Sequence, residues 1–193
     1  MYIIIIILVL VVIALIGLYN RLVGLRVRTN EAWADIDVQL KRRYDLIPNL
    51  VETVKGYVSH ERETLDAVVA ARAKATQVHV DAASLSPEQM TALAGAEAGL
   101  TQALGKLMAI AESYPDLKAN ENFVELQREL VDTENKVQAA RRFYNANVRD
   151  MNIAVQKFPA NIISGMFGFS VREFFELAEG SEQREPVEVS FDN

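Results

Sequence analysis

FVELQRELVDTENKVQAARRFYNANVRDMNIAVQKF, Phe123 to Phe158, decides the fold class of this 193-residue chain. Within it Phe123, Leu126, Leu130, Thr133, Val137, Ala140, Tyr144, Asn147, Met151, Ala154 and Phe158 recur at steps of three and four. That spacing puts them on one face of an α-helix of about ten turns. Asn120 or Asn122 is placed to cap its start.

Upstream lies a second seam of the same kind. Ser86-Pro87-Glu88-Gln89 announces its helix: Ser86 caps, Pro87 suits the first turn and Gln89 closes a capping box. Met90, Leu93, Glu97, Leu100, Leu104, Leu107, Ala111 and Tyr114 then alternate steps of three and four, with Glu97 as the polar intrusion, and Pro115 ends the run. The short connection from Tyr114 to Asn120 predicts that the two helices lie antiparallel. Gly95, Gly99 and Gly105 are read as points of close helix approach, because no phosphate-loop Lys-Ser or Lys-Thr follows them.

Before Ser86, Gln77 to Leu85 reads as a loop. An apolar stripe at Trp33, Ile36, Leu40 and Tyr44 predicts a helix to about Tyr44, and Pro48 in DLIPNLV, Asp45 to Val51, marks a turn and a new start. A further stripe through Leu50, Val54, Val58, Glu61, Leu65 and Val68 predicts a helix ending near Thr76. The expected fold is all-α, an up-down antiparallel bundle of three to four long helices.

The first helix is expected to come directly out of a membrane. Tyr2 to Leu18 reads YIIIIILVLVVIALIGL without a charge, and 17 residues cover about 26 Å, with Leu22 and Val23 able to complete a span. A cleaved signal peptide is the rival, but no Lys or Arg precedes the apolar run and Ala14 to Gly17 lacks an A-x-A arrangement. A buried core helix would need partners on every face. Arg21, Arg26 and Arg28 follow the run directly, so the positive-inside rule orients the N-terminus outward and the domain toward the cytoplasm. Domain expectations are therefore a transmembrane anchor over 1–23, a helical bundle over 24–178 and a polar tail over 179–193.

After Pro159 the pattern changes to NIISGMFGFSVREFFEL, in which Gly165 and Gly168 break regularity. Ser170 with Glu173 has the form of a capping box before a short helix. Ile162, Ile163, Met166, Phe167, Phe169, Phe174 and Phe175 either cover an open end of the bundle or touch a neighbouring subunit or the membrane, since so much apolar area is costly to leave wet. Val187 to Phe191 could add a short extended piece.

Little in the chain points to chemistry. Absence of Cys removes disulfides, thiolate metal sites and thiol nucleophiles. A net charge of −6 argues against nucleic acid as a partner, with Lys41, Arg42 and Arg43 a local basic exception. His60 and His79 stand outside any metal-binding spacing and are read as solvated. No G-x-S-x-G elbow is present. We expect no enzymatic activity, no cofactor and no metal.

The polar groups that call for partners lie in ENKVQAARRFYN, Glu134 to Asn145. Arg141 and Arg142 adjoin the seam and Tyr144 lies on it, so part of this charge enters a helix interface, where it must be paired. Asp45, Glu129 and Glu134 are candidate partners for Arg141, although a surface charge run remains an equal reading.

DLIPNLV, then NFVELQREL at Asn122 to Leu130, ENKVQAARRFYN, and FPANIISGMFGF at Phe158 to Phe169 together resemble the LemA family of bacterial membrane proteins, from the anchor through Leu177. The resemblance implies an N-terminal membrane helix, a helical bundle facing the cytoplasm, no established enzymatic activity, and a link to envelope maintenance. It also implies a nearby membrane-bound zinc protease as a candidate partner. The polar positions it carries over are Asp45, Asn49, Gln127, Glu129, Glu134, Asn135, Arg141, Arg142, Tyr144 and Asn145. The expected function is a homo-oligomeric scaffold at the bacterial inner membrane, with the bilayer and further copies of itself as partners. The alternative is an adaptor for a membrane protease or signalling protein.

Overall fold

Tyr2 to Lys55 form one helix, α1, whose 54 residues make a rod about 80 Å long. The structure is a computed structural model that describes residues 1–58, 61–78, 80 and 86–176. The loop expected over 77–85, His60, His79 and the tail from 179, with its extended piece at 187–191, fall wholly or mostly outside the described residues.

Pro48 does not interrupt α1, contrary to the turn expected at DLIPNLV. A proline removes the N–H that would bond the carbonyl four residues back, here that of Tyr44. That carbonyl instead accepts from Arg72 Nε at 2.7 Å. Ile47 and Leu50, on either side of Pro48, are fully buried, and their packing outweighs the aversion of a pre-proline residue to helix.

The helix expected from Leu50 to Thr76 is split. Leu50 and Val54 finish α1, Tyr57 N–H bonds the Val54 carbonyl at 2.9 Å, and the chain restarts as α2, Arg62–Gln77. Doubling back brings Leu65, Val68 and Ala75 into the same cluster as Ile47, Leu50 and Val54. A straight continuation would have carried them past the end of the bundle.

The third helix, α3, spans Pro87–Ala111 and opens with the expected capping box: Gln89 N–H donates to Ser86 Oγ at 3.2 Å, and Ser86 N–H donates to Gln89 Oε1 at 3.1 Å. It stops short of Pro115, which instead starts a four-residue helix, α4, Pro115–Lys118. Asn120 caps α5, Glu121–Gln156, by accepting from Phe123 N–H at 3.0 Å. Most of the predicted α5 seam is buried, but Phe158 lies beyond the helix end and is 74% exposed.

Contacts fix the directions. On α1, Leu22, Trp33 and Arg43 meet Met151, Tyr144 and Glu134 of α5 in turn, so the two rods are antiparallel. Arg43 also meets Glu97, with Leu104 and Leu107 clustering around Ile47 to Val54, so α3 runs with α1 and α2 against both. This is the expected up-down bundle, with one difference. The two long seams are antiparallel but are not backbone neighbours, since α1 packs on α5 and α2 on α3. Gly95, Gly99 and Gly105 are exposed, and a Cβ on any of them would meet nothing within 4 Å, so they are not points of close approach.

A sixth helix, α6, covers Ala160–Phe167 and includes Gly165. It ends at Gly168, whose φ of +69° suits a residue without a Cβ, and Phe169 N–H bonds the Ser164 carbonyl at 2.9 Å. No helix follows at Ser170. Residues 169–176 are irregular and are held along α5 instead.

Residues 2 to 17 project from the bundle uncovered. Among the described residues, α1 alone is long and apolar enough to cross a membrane, with a mean hydropathy of 3.2 in its most apolar stretch.

The Pro48 account predicts a thermodynamic cycle. Arg72→Ala should destabilise the bundle by about 1–3 kcal/mol, the cost of a buried carbonyl left without a donor. In a Pro48→Ala background, where residue 48 regains its N–H, the same substitution should cost clearly less in chemical denaturation. Equal costs in both backgrounds would refute the compensation.

Candidate functional site

Arg43 is 4% exposed and sits midway along the bundle, on the face of α1 that also carries Ile36, Leu40 and Ile47. Its guanidinium donates to Glu97 Oε2 at 3.0 Å and to Thr101 Oγ1 at 2.8 Å, and lies 3.1 Å from Glu134 Oε2. Tyr44 donates its hydroxyl to the other oxygen of Glu97. Three helices thus meet on one cation, α1 through Arg43, α3 through Glu97 and Thr101, and α5 through Glu134.

Burial pushes the Glu97 carboxyl above its ordinary value of 4.5, opposed by the Tyr44 hydrogen bond and the Arg43 charge and reinforced by Glu134. Glu134 is the wetter partner, with its side chain 29% exposed. Removing one member of such a cluster strands the others in an apolar interior, whereas removing a complementary pair need not.

The sequence alone points to this network further along α5, around Arg141. Glu134 belongs to it, and its partner is Arg43. Asp45, Asn49, Gln127, Asn135 and Arg142 are exposed, while Glu129 and Arg141 are half-buried. Asp45 lines an open groove with Asp37, Lys41 and Arg72 instead. Extending the α1 stripe past Tyr44 to Ile47 and on through Pro48 to Leu50 puts Arg43 on the buried face, opposite the one polar residue of the α3 seam. The assumed turn at Pro48 hid that signal.

Tyr144 and Asn145 have a different task. The Tyr144 ring is fully buried edge-on against Trp33, centroids 5.3 Å apart, and its hydroxyl donates to the Glu173 carbonyl at 2.9 Å. Burial pushes that hydroxyl up to about 12. Asn145 exchanges two bonds with the Phe175 backbone, at 3.0 and 2.9 Å, and Asn152 does the same with Arg172, at 2.9 and 2.7 Å. Seven helical residues rise about 10 Å, the span of three extended ones, so the two amides match the repeat of the strap they hold. These bonds, together with the burial of Phe169 and Phe175, replace the short helix expected after Ser170.

The apolar C-terminal residues divide into two groups. Ile163, Phe169 and Phe175 are buried, whereas Ile162, Met166, Phe167 and Phe174 are between 43% and 72% exposed. Tyr19, just past the apolar leader, packs edge-on against Phe167 and Phe169, with centroids 4.8 and 5.8 Å away. Arg26 lies over the Phe169 ring at 4.9 Å. The partly exposed α6 is therefore docked where the leader enters the bundle.

All five buried polar side chains among the described residues, Thr29, Arg43, Glu97, Thr133 and Ser164, bond within the protein. Gln39 Oε1 is the one buried side-chain atom among them without a partner. No group of three His, Asp or Glu side chains suited to a metal occurs among the described residues.

Arg43→Met should cost about 3–5 kcal/mol of unfolding free energy, and Arg43→Met with Glu97→Leu should cost less than the single change. A folded-state carboxyl raised above its unfolded value contributes stability that is full below that value and lost as pH rises through the raised one. The unfolding free energy should therefore contain a component that falls above pH 4.5 and is missing from Glu97→Gln. For the strap, Asn145→Ala and Asn152→Ala should speed hydrogen exchange at the Phe175 and Arg172 amides respectively, leaving α3 amides unchanged. Unaltered exchange there would show that the amides do not hold the strap.

The chain is similar in sequence to known proteins. Magnetosome protein MamQ 2 of Paramagnetospirillum magneticum is 27% identical over 179 residues, covering 82% of this chain, and this chain spans only 64% of the MamQ length. Magnetosome protein MamQ of Magnetospirillum gryphiswaldense is 36% identical over 84 residues, 44% of this chain and 31% of that protein. Protein LemA of Metamycoplasma hominis is 25% identical over 164 residues, 85% of this chain and 71% of that protein. Residues 32–191, which include the Arg43 cluster and the strap along α5, match the profile of one family, and the chain belongs to the LemA family.

Proposed function

We propose that this chain is a single-pass protein of the bacterial inner membrane, with its N-terminus outside and its bundle in the cytoplasm. There it self-assembles into a non-enzymatic scaffold that organises or maintains the envelope. One observation carries the reading. On a bundle whose five buried polar residues, among those described, are paired internally, Phe143, Phe158, Ile162, Met166 and Phe167 each remain more than half exposed. Covering one large apolar side chain is worth about 1.5–3 kcal/mol. Tethering to a bilayer raises the effective concentration at which such weak contacts act together.

Family membership and the apolar leader support the membrane location, and Arg21, Arg26 and Arg28 support the orientation.

Cross-linking in native membranes, followed by imaging of the detergent-extracted full chain, should show discrete assemblies larger than one copy. Phe158→Glu with Met166→Glu should shift them to smaller species without loss of helical content. A uniform monomer would overturn self-assembly, and a stoichiometric complex with a membrane protease or signalling protein instead would make the chain an adaptor.

A further inference from the structure

We infer that a groove at the foot of the bundle binds the phosphate headgroup of an anionic phospholipid. This inference rests on the membrane-anchored reading above.

The groove lies between α1 and the end of α5, and has a volume of about 740 Å³, within the range of small-molecule sites. On α1, Leu18, Arg21, Leu25 and Arg28 line it at steps of three and four, an alternating apolar and cationic stripe on one helical face. Asp150 of α5 and Lys157, the residue just past its end, face them. The three cations are exposed, and none makes an ion pair within 4 Å among the described residues. They outnumber the one carboxylate, so the groove is positive and open to an anion. Asp150 supplies an acceptor suited to a headgroup hydroxyl.

Position selects the source of that anion. Leu18 closes the uncharged leader, and at the helical rise Arg21 and Arg28 lie about 5 and 15 Å beyond it. The headgroup layer of a bilayer is about 5–8 Å thick on each side. Arg21 therefore stands in that layer, while Arg28 and Lys157 reach back to it on flexible stems. Leu18 and Leu25 offer apolar surface to the upper acyl chain. Tyr19 and the exposed side chains of α6 mark the same level as interfacial. A soluble phosphate would gain nothing from that apolar lining.

The test uses the full chain in mixed vesicles of phosphatidylcholine with a minor fraction of phosphatidylglycerol. The protein is re-extracted in mild detergent and the lipid that travels with it is measured by mass spectrometry. Wild type should retain phosphatidylglycerol well above its share of the vesicle. Arg21→Gln, Arg28→Gln and Lys157→Gln should each weaken that retention about five-fold, the effect of one cation at a membrane surface. Single-charge controls, Lys41→Gln, Arg42→Gln and Arg128→Gln, each remove an exposed cation about 20 Å or more along the rods and should retain the lipid.

Protein that inserts but shows no preference, or a control that loses as much as the groove variants, would overturn the inference and leave anchoring intact. Inorganic phosphate that stabilises the detergent-solubilised protein as strongly as phosphatidylglycerol would make the free anion the ligand and overturn the lipid assignment. Failure to enter the vesicles would overturn the anchored reading, and the inference with it.

Discussion

The architecture depends on one helix staying whole. All the other long helices are measured against α1: α5 lies along it from Leu22 to the distal core, α2 folds back on its far end, and α3 reaches its middle through Arg43. A break at Pro48 would separate the leader, Trp33, Arg43 and Ile47 from Leu50 and Val54, which complete their cluster. The rod survives because its local defect is met from outside, by Arg72 on α2 bonding the Tyr44 carbonyl that proline leaves without a partner. The tertiary contact does for the backbone what the sequence of α1 cannot do alone.

Where periodicity ran uninterrupted, the sequence was readable to within about a turn at the helix ends. The α5 seam, the Ser86 capping box and the Asn120 cap are all local patterns, determined by atoms three or four residues apart. The misreadings fall where a distant group overrides a local rule. Pro48 reads as a break until Arg72 is placed beside it. Ser170-x-x-Glu173 has the form of a capping box, but Asn145 and Asn152 take the backbone of Arg172 and Phe175 for hydrogen bonds that exclude a helix. The exposed glycines of α3 show the converse, since small residues in a helix permit close approach without requiring it.

The same division applies to the candidate sites. Glu97 was visible as an anomaly in an apolar seam, and Glu134 as a charge needing a partner. Their shared cation was not, because Arg43 stands in a run of three basic residues of which only the third faces inward. The apolar C-terminal residues split on similar grounds. Composition marks all seven as costly to expose, but only the fold of α6 against Tyr19 and of the strap against α5 decides which three are buried.

The Arg43 cluster is best explained by register. On α3, Met90, Glu97, Leu104 and Ala111 are spaced by seven residues and share one buried face, as do Leu93, Leu100 and Leu107. Apolar packing distinguishes weakly between alignments that differ by a heptad, because each slip sets one apolar side chain roughly where another was. Glu97 removes that degeneracy. A slip of seven in either direction takes its carboxylate away from Arg43 and Tyr44 toward apolar neighbours, carries Thr101 off the guanidinium as well, and strands Arg43 with Glu134 alone. A buried pair adds little net stability over apolar residues of the same shape, but it penalises misalignment by the full cost of an unpaired charge. For a long bundle beside a membrane, the alignment of α3 sets where its far end closes over Leu117 and Phe123.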